Sequence, residues 1–344
     1  MERLRLFYEQ IEEARRLMLS GTLPNVRLAL ILLDNAAELL MYRELSYIFA
    51  EDDFYAKLRA SIPRGGTNST FLSKYTEEER RRAKQEFKPM VKILQLRLGM
   101  ISDKQAIVLR VCHEIRRDAF HRGEMNPTIL RPVTELLFLT VAELARAFPV
   151  HSYSIQGGTP DRENADFLAR FDVHQSELGD EGGREKMYSK LVGGIAFDAR
   201  LRETLSLDLV GRIDQTIEGL SYQNDGSAKR DEIDYNLRYT QFWKELGAEV
   251  ARRCHEEGRA PKDDLDKAYA EWSENSAPRF TMDKLERWRR HAAGIAKAKH
   301  PADAVARYRA IEQLFAPLEE DVGQAVAQYD EHINMLVHDR RLST

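Results

Sequence analysis

Residues 102–123 read SDKQAIVLRVCHEIRRDAFHRG, and the face that this stretch buries decides how the chain folds. Ser102 and Gln105 stand at capping-box spacing, which starts a helix. On an ideal helix at about 100° per residue, with Val111 at the centre of the buried face, Ile107, Val108, Ile115 and Ala119 fall within about 80° of it. Asp118 lies within about 20° of the same centre, where a carboxylate is costly unless it is paired or the helix deforms. Arg116 and His121, five apart, point about 140° away from each other in an undistorted helix. The pattern therefore predicts that the helix tightens or ends near 117–120, with Gly123 supplying the turn, so that Arg116, Asp118 and His121 converge.

Outward from this stretch the chain reads as helices. Apolar residues at 4, 7, 11, 14, 17 and 18 line one face of a 3.6-residue period. Gly21 breaks that helix, and Pro24 sits just inside a second one over about 25–49, nearly all apolar through LALILL at 28–33. Its polar exceptions are Asp34, Asn35, Glu38 and Tyr42, of which 34, 38 and 42 share a face. IPRGGTNSTF at 62–71 is a loop by composition, and a charged helix over about 76–98 ends at Gly99. After the irregular EMNPTILRP, Pro132 is expected to open an apolar helix that stops at Pro149.

Residues 151–183 combine glycines with an acidic excess and read as a loop-rich connection between 1–150 and a helical C-terminal region, 184–344. Helices are expected there near 184–220, 229–257, 262–274, 281–299 and 301–338. The fold class is all-α; no strand alternation, repeat or low-complexity tract is present.

With 344 residues, 43% of them hydrophobic and 31% charged, the composition is that of a globular protein with at least one sizeable core. The apolar runs are far shorter than the ~20 residues a spanning helix needs, and no secretory leader is recognisable in MERLRLFYEQ, so a cytoplasmic protein without membrane attachment is expected. Cys112 and Cys254 give no disulfide framework. Each is followed by histidine, but adjacent side chains point about 100° apart on a helix, which argues against a shared zinc ion, and no metal or cofactor is expected. Net charge is −4, excluding a global basic signature. A local one exists at 283–299, where Lys284, Arg287, Arg289, Arg290, Lys297 and Lys299 surround Trp288, while 161–186 is acidic and is a candidate internal phosphate mimic.

Arg116-Arg117-Asp118-Ala119-Phe120-His121 resembles the R-x4-6-H signature of the HEPN superfamily, helical domains found in many prokaryotic ribonuclease toxins and defence proteins. The acid-bearing LDNAAELLM at 33–41 resembles that family's early core helix, and 132–148 the helix after the signature. The resemblance covers about 23–149. It departs from the family's pattern at Arg117, where Asn, Asp or His often follows the arginine.

What the resemblance implies is an HEPN-like helical bundle that cleaves RNA without metal, the 2′-OH attacking phosphorus to leave a 2′,3′-cyclic phosphate. His121 would be the general acid or base, since both its protonation states exist near neutrality. Arg116 would stabilise the phosphorane with its forked donors. Asp118 and Glu38 would orient them, and Arg117, Arg122, Trp288, Arg289 and Arg290 would bind RNA, Trp288 by stacking. A homodimer that pairs two signatures is expected, with an antitoxin or regulatory partner. Two competing readings stand beside this one. Arg116, Arg117 and His121 would decorate a helix C-terminus favoured by the macrodipole, with Asp34 and Glu38 in buried salt bridges. Alternatively, the bundle would be a non-catalytic interaction or nucleotide-binding module.

Overall fold

The structure is a computed structural model. It describes residues 2–61, 74–122, 126–148, 162–178, 180–195, 200–222 and 229–342, with side chains for all of these except 3, 59–61, 120–122 and 332–342. Every regular element among them is helical. No helix among the described residues is long and apolar enough to cross a membrane. The chain divides into two compact units, one comprising 1–201 with 300–306 and the other 202–299 with 307–344.

The first unit opens with α1 (Glu2–Ser20) and α2 (Leu23–Ser61), joined at Gly21, whose φ of +73° is open to glycine. Leu4, Phe7, Ile11, Ala14, Leu17 and Met18 are all buried, as the spacing of α1 predicts. α1 lies along α2, and α2 runs well beyond the expected end at 49. The expected single helix over 76–98 is instead three pieces: α3 (Glu77–Gln85), α4 (Phe87–Lys92) and a π-helical turn, Ile93–Arg97. Thr76 and Glu79 form a capping box at the start of α3. The break at Glu86 has a local cause: Pro89 lacks an N–H to bond the carbonyl of Gln85 and its ring would clash there, so the helix restarts one turn before it.

α5 (Asp103–Arg122) is the helix of the opening stretch, and the Ser102–Gln105 capping box forms at its start. It is a continuous α-helix to Arg122, so the expected tightening near 117–120 does not occur. α6 (Pro127–Ala147) begins five residues before Pro132: Asn126 accepts from the Thr128 N–H at 3.0 Å and Pro127 takes the first helical position, leaving Pro132 inside the helix. α6 packs on α2, α5 and α8 (Glu181–Val192). Within the expected loop 151–183 lies a helix, α7 (Arg162–Phe171), whose Phe167 and Phe171 rings meet Tyr8 on α1 at 6.1 and 5.5 Å. Three acidic side chains of 161–186 are paired inside the first unit: Glu163 with Arg5, Glu177 with Lys186 and Glu185 with Arg146.

The second unit contains α9 (Leu201–Tyr222) from Arg202 onward and α10 (Arg230–Phe242). A second π-helical turn, Trp243–Gly247, joins α10 to α11 (Ala248–Glu256), which precedes α12 (Lys262–Asn275) and α13 (Met282–Ala293). From Arg307 onward, α14 (Pro301–Leu342) also belongs to this unit. Phe242, Leu265 and Trp272 form a core that Tyr239, Trp243 and Tyr269 flank. Arg212 on α9 ties α14 into the unit. Its Nε and Nη2 donate to Glu319 at 2.8 and 2.5 Å, and its Nη1 to Tyr308 and Glu312 at 3.0 and 3.1 Å.

Candidate functional site

The face of α5 that is buried differs from the expected one by a single residue. Cys112, Leu109, Val108 and Ala119 are buried, while Val111, Ile107 and Ile115 are only half-buried. Moving the centre from Val111 to Cys112 rotates the helix by about 100°, which brings Arg116 to within about 40° of the buried centre and turns Asp118 about 120° away. Asp118 is therefore not the buried acid: it is half-buried and ion-paired with Arg117 at 3.3 Å.

The buried acid comes from α2. Asp34 is 1% exposed, yet both of its oxygens are engaged by α5. Nδ1 of His113 lies 3.1 Å from Oδ1 and 3.0 Å from Oδ2, and must donate to a carboxylate there. Nε of Arg116 lies 3.4 Å from Oδ2, near enough for an ion pair but without the alignment of a hydrogen bond. Residues 113 and 116 share a helix face at i,i+3, so one carboxylate can reach both.

A third helix completes the arrangement. Phe87 of α4 stacks on the His113 ring with centroids 4.0 Å apart and planes 4° from parallel. The imidazole is thus fixed in plane by Phe87 and in tautomer by Asp34, which leaves Nε2 as the proton-accepting nitrogen. Nε2 of His113 and the two terminal nitrogens of Arg116 bond to no described residue, and the side chains are 23% and 30% exposed. Beside them Lys88 pairs with Glu114 at 2.7 Å, and Arg27 donates to the carbonyl of Ala119 at 2.9 Å near the end of α5. Cys112, one residue before His113, is fully buried; burial first and the Asp34 charge second push its thiol far above the usual range, which removes it as a nucleophile.

The remaining expected site residues divide between the two units. Glu38 is half-buried one turn beyond Asp34 and pairs with no described residue. His121 and Arg122 lie on the last turn of α5, and their side chains fall outside the described residues. Arg117 is exposed. In the second unit, Trp288 is half-buried with its ring edge-on to Phe280 and Phe315, at 6.0 and 6.2 Å. Arg289 is held by Asp214 through two bonds of 2.6 and 3.0 Å, and Arg290 is exposed. Among the described residues no three His, Cys, Asp or Glu side chains converge as metal ligands would.

Comparison with family models, curated proteins and solved structures finds no match to this chain.

His113 is the residue that the sequence pattern passed over. The signal for it was the i,i+3 spacing to Arg116 together with the need of an acid on an otherwise apolar α2 for partners, which a helix taken alone does not reveal.

Proposed function

We propose that this chain is an HEPN-like, metal-independent endoribonuclease in which Asp34, His113 and Arg116 form the core of the site. One observation carries the reading: a single buried carboxylate seats an imidazole and a guanidinium side by side, and no described residue bonds to Nε2 or to the guanidinium fork. In the reaction a base takes the proton of the ribose 2′-OH as the O2′–P bond forms. An acid then gives a proton to the departing 5′-oxygen as the P–O5′ bond breaks. His113 supplies one proton-transfer group and His121 the other, either within one chain or across a homodimer, which satisfies the need for both an acid and a base. Arg116 stabilises the charge gathering on the phosphorane oxygens. Asp34, through its bond to His113, orients the imidazole, as a carboxylate behind a catalytic histidine does.

The test is cleavage of single-stranded RNA in excess EDTA by the full chain and by His113→Ala, Arg116→Ala and His121→Ala variants, with the product ends identified. The expected result is 2′,3′-cyclic phosphate ends that disappear in all three variants. Intact RNA from a folded protein sinks the proposal.

A second reading, a non-catalytic helical interaction module with an antitoxin-like or regulatory partner, is favoured by the in-chain pairing of the cations: Arg116 with Asp34 and Arg117 with Asp118. On that reading the Asp34 cluster only joins α2 to α5, and Arg116→Ala changes stability but no RNA chemistry.

A further inference from the structure

The second unit carries a cavity of about 910 Å³ that no part of the ribonuclease reading uses. Its volume lies within the ~300–1,000 Å³ typical of small-molecule sites. One wall is α10 and the π-helical turn after it, which place Tyr235, Tyr239 and Trp243 four residues apart. Tyr235 and Tyr239 lie 6.0 Å apart with planes 19° from parallel, and Tyr239 and Trp243 lie 6.5 Å apart at 28°. An aromatic stripe at helical spacing is ordinarily core. Here Tyr239 and Trp243 do rest on the Phe242–Trp272 core, but they are only half-buried, Tyr235 is 48% exposed, and all three line the cavity.

The wide turn is built around Trp243. The Ala248 N–H reaches back to the Trp243 carbonyl, five residues away, a geometry concentrated at functional sites. Gly247 closes the turn, and a Cβ there would stand 3.0 Å from the rings of both Phe242 and Trp243. A larger residue at 247 would push the indole out of the wall.

The opposite wall is α14, where Gln324 and Gln328 stand one turn apart. Gln328 has no partner among the described residues, and Gln324 makes only a long 3.5 Å contact to Glu320. A carboxamide offers a donor and an acceptor side by side, the pattern that reads a base edge. The charged side chains of the lining, Lys244 and Asp321, neutralise each other in an ion pair, so the cavity calls for a planar, uncharged group. Stacking on aromatic side chains with hydrogen bonds to the base edge is how unpaired bases are held.

From this we infer that the Tyr235–Tyr239–Trp243 cavity binds a nucleobase, stacked on the aromatic wall and held at its edge by Gln324 and Gln328. The base comes either from a free nucleotide or from an unpaired position in RNA. The inference does not depend on the ribonuclease reading.

The experiment follows tryptophan fluorescence of the full chain in EDTA, with Arg116→Ala as background so that RNA stays intact. Each of the four nucleoside monophosphates is titrated in turn, then a short single-stranded RNA. The expected result is saturable quenching, weakened at least tenfold by Tyr235→Ala and absent in Trp243→Phe. Gln328→Leu, at an exposed position without a partner among the described residues, is expected to abolish discrimination among the four bases while the circular dichroism of the fold is retained. Saturation by mononucleotides assigns the site to a free ligand, and saturation by RNA alone assigns it to the polymer; both support the inference. Saturation by neither probe overturns it, as does binding that survives Tyr235→Ala combined with Gln328→Leu. Loss of RNA cleavage in Arg116→Ala tests the other site and leaves this outcome untouched.

Discussion

The two units each carry a charged cluster beneath the surface, and the clusters use their hydrogen bonds differently. In the second unit, the Arg212 side chain is saturated: Nε, Nη1 and Nη2 all donate, to Glu319, Glu312 and Tyr308, and Tyr308 donates onward to Asp208 at 2.8 Å. Burial opposes the charge of Arg212, but the hydrogen bonds it donates to Glu319 and the surrounding oxygens outweigh it and hold the guanidinium above its ordinary range. In the first unit, Asp34 takes one hydrogen bond, shared between its oxygens, from His113 and ion-pairs with Arg116, while Nε2 of His113 and the terminal nitrogens of Arg116 bond to no described residue. A cluster that only locks helices together has no reason to leave its donors unpaired. A cluster that receives a phosphate does.

Exchanging the partners should separate the two. Arg212→Ala leaves three partner residues, Glu319, Glu312 and Tyr308, without their cation, and removal of one partner from such a network costs about 3–5 kcal/mol, read as a large fall in Tm and in denaturant midpoint. Arg116→Lys keeps the charge of the first unit but loses the planar fork. RNA cleavage is expected to fall about 100-fold while stability stays within about 1 kcal/mol of the parent. Should Arg116→Lys instead unfold the protein as Arg212→Ala does, the two clusters are of one kind and the contrast is broken.

Asp34→Asn sharpens the same comparison. The amide can still meet His113 but no longer fixes which ring nitrogen carries the proton, so cleavage should fall by about 10²–10⁴-fold.

A pH titration probes the other side. Burial first, and the Glu312 charge next, push the Tyr308 phenol well above its ordinary value of 10.0. Below pH 10 both folded and unfolded chains keep this proton; above it the unfolded chain releases the proton first, so stability is lost as pH rises. Tyr308→Phe should flatten the alkaline limb of the Tm profile relative to the parent.

The smallest effect belongs to Arg289→Ala. Its guanidinium already has Asp214 as a partner on an exposed face, so the melting curve is expected to be nearly superimposable on the parent. A change in RNA binding larger than that of Arg290→Ala would show that the Asp214 pair opens to admit phosphate.

Much of the helical outline was readable along the chain, because the cues are local. The six buried positions of α1 follow from a 3.6-residue period, and the ends at Gly21 and Gly99 from positive φ, +73° and +63°. The cap at Ser102 follows from a pair three residues apart. Flanking glycines obscure the helix at Arg162–Phe171, and α6 starts five residues before the position that Pro132 suggests, because Asn126 with Pro127 is its opening signal.

The site was half legible. Arg116 stood out by its place near the end of a core-lining helix, whereas His113 and Asp34, 79 residues apart, became a pair only once α2 and α5 were in contact. Periodicity left the buried face of α5 uncertain by one residue, because apolar side chains occupy both candidate faces. A buried carboxylate on a neighbouring helix decides between them, since its desolvation is tolerable only where an imidazole and a guanidinium can reach it. The sequence by itself determined that this chain is a succession of helices and where several of them begin. Which face of α5 turns inward, and which aromatic residues line a cavity instead of filling a core, were decided by tertiary contacts, because burial of a charge or a ring is a property of the neighbours that surround it.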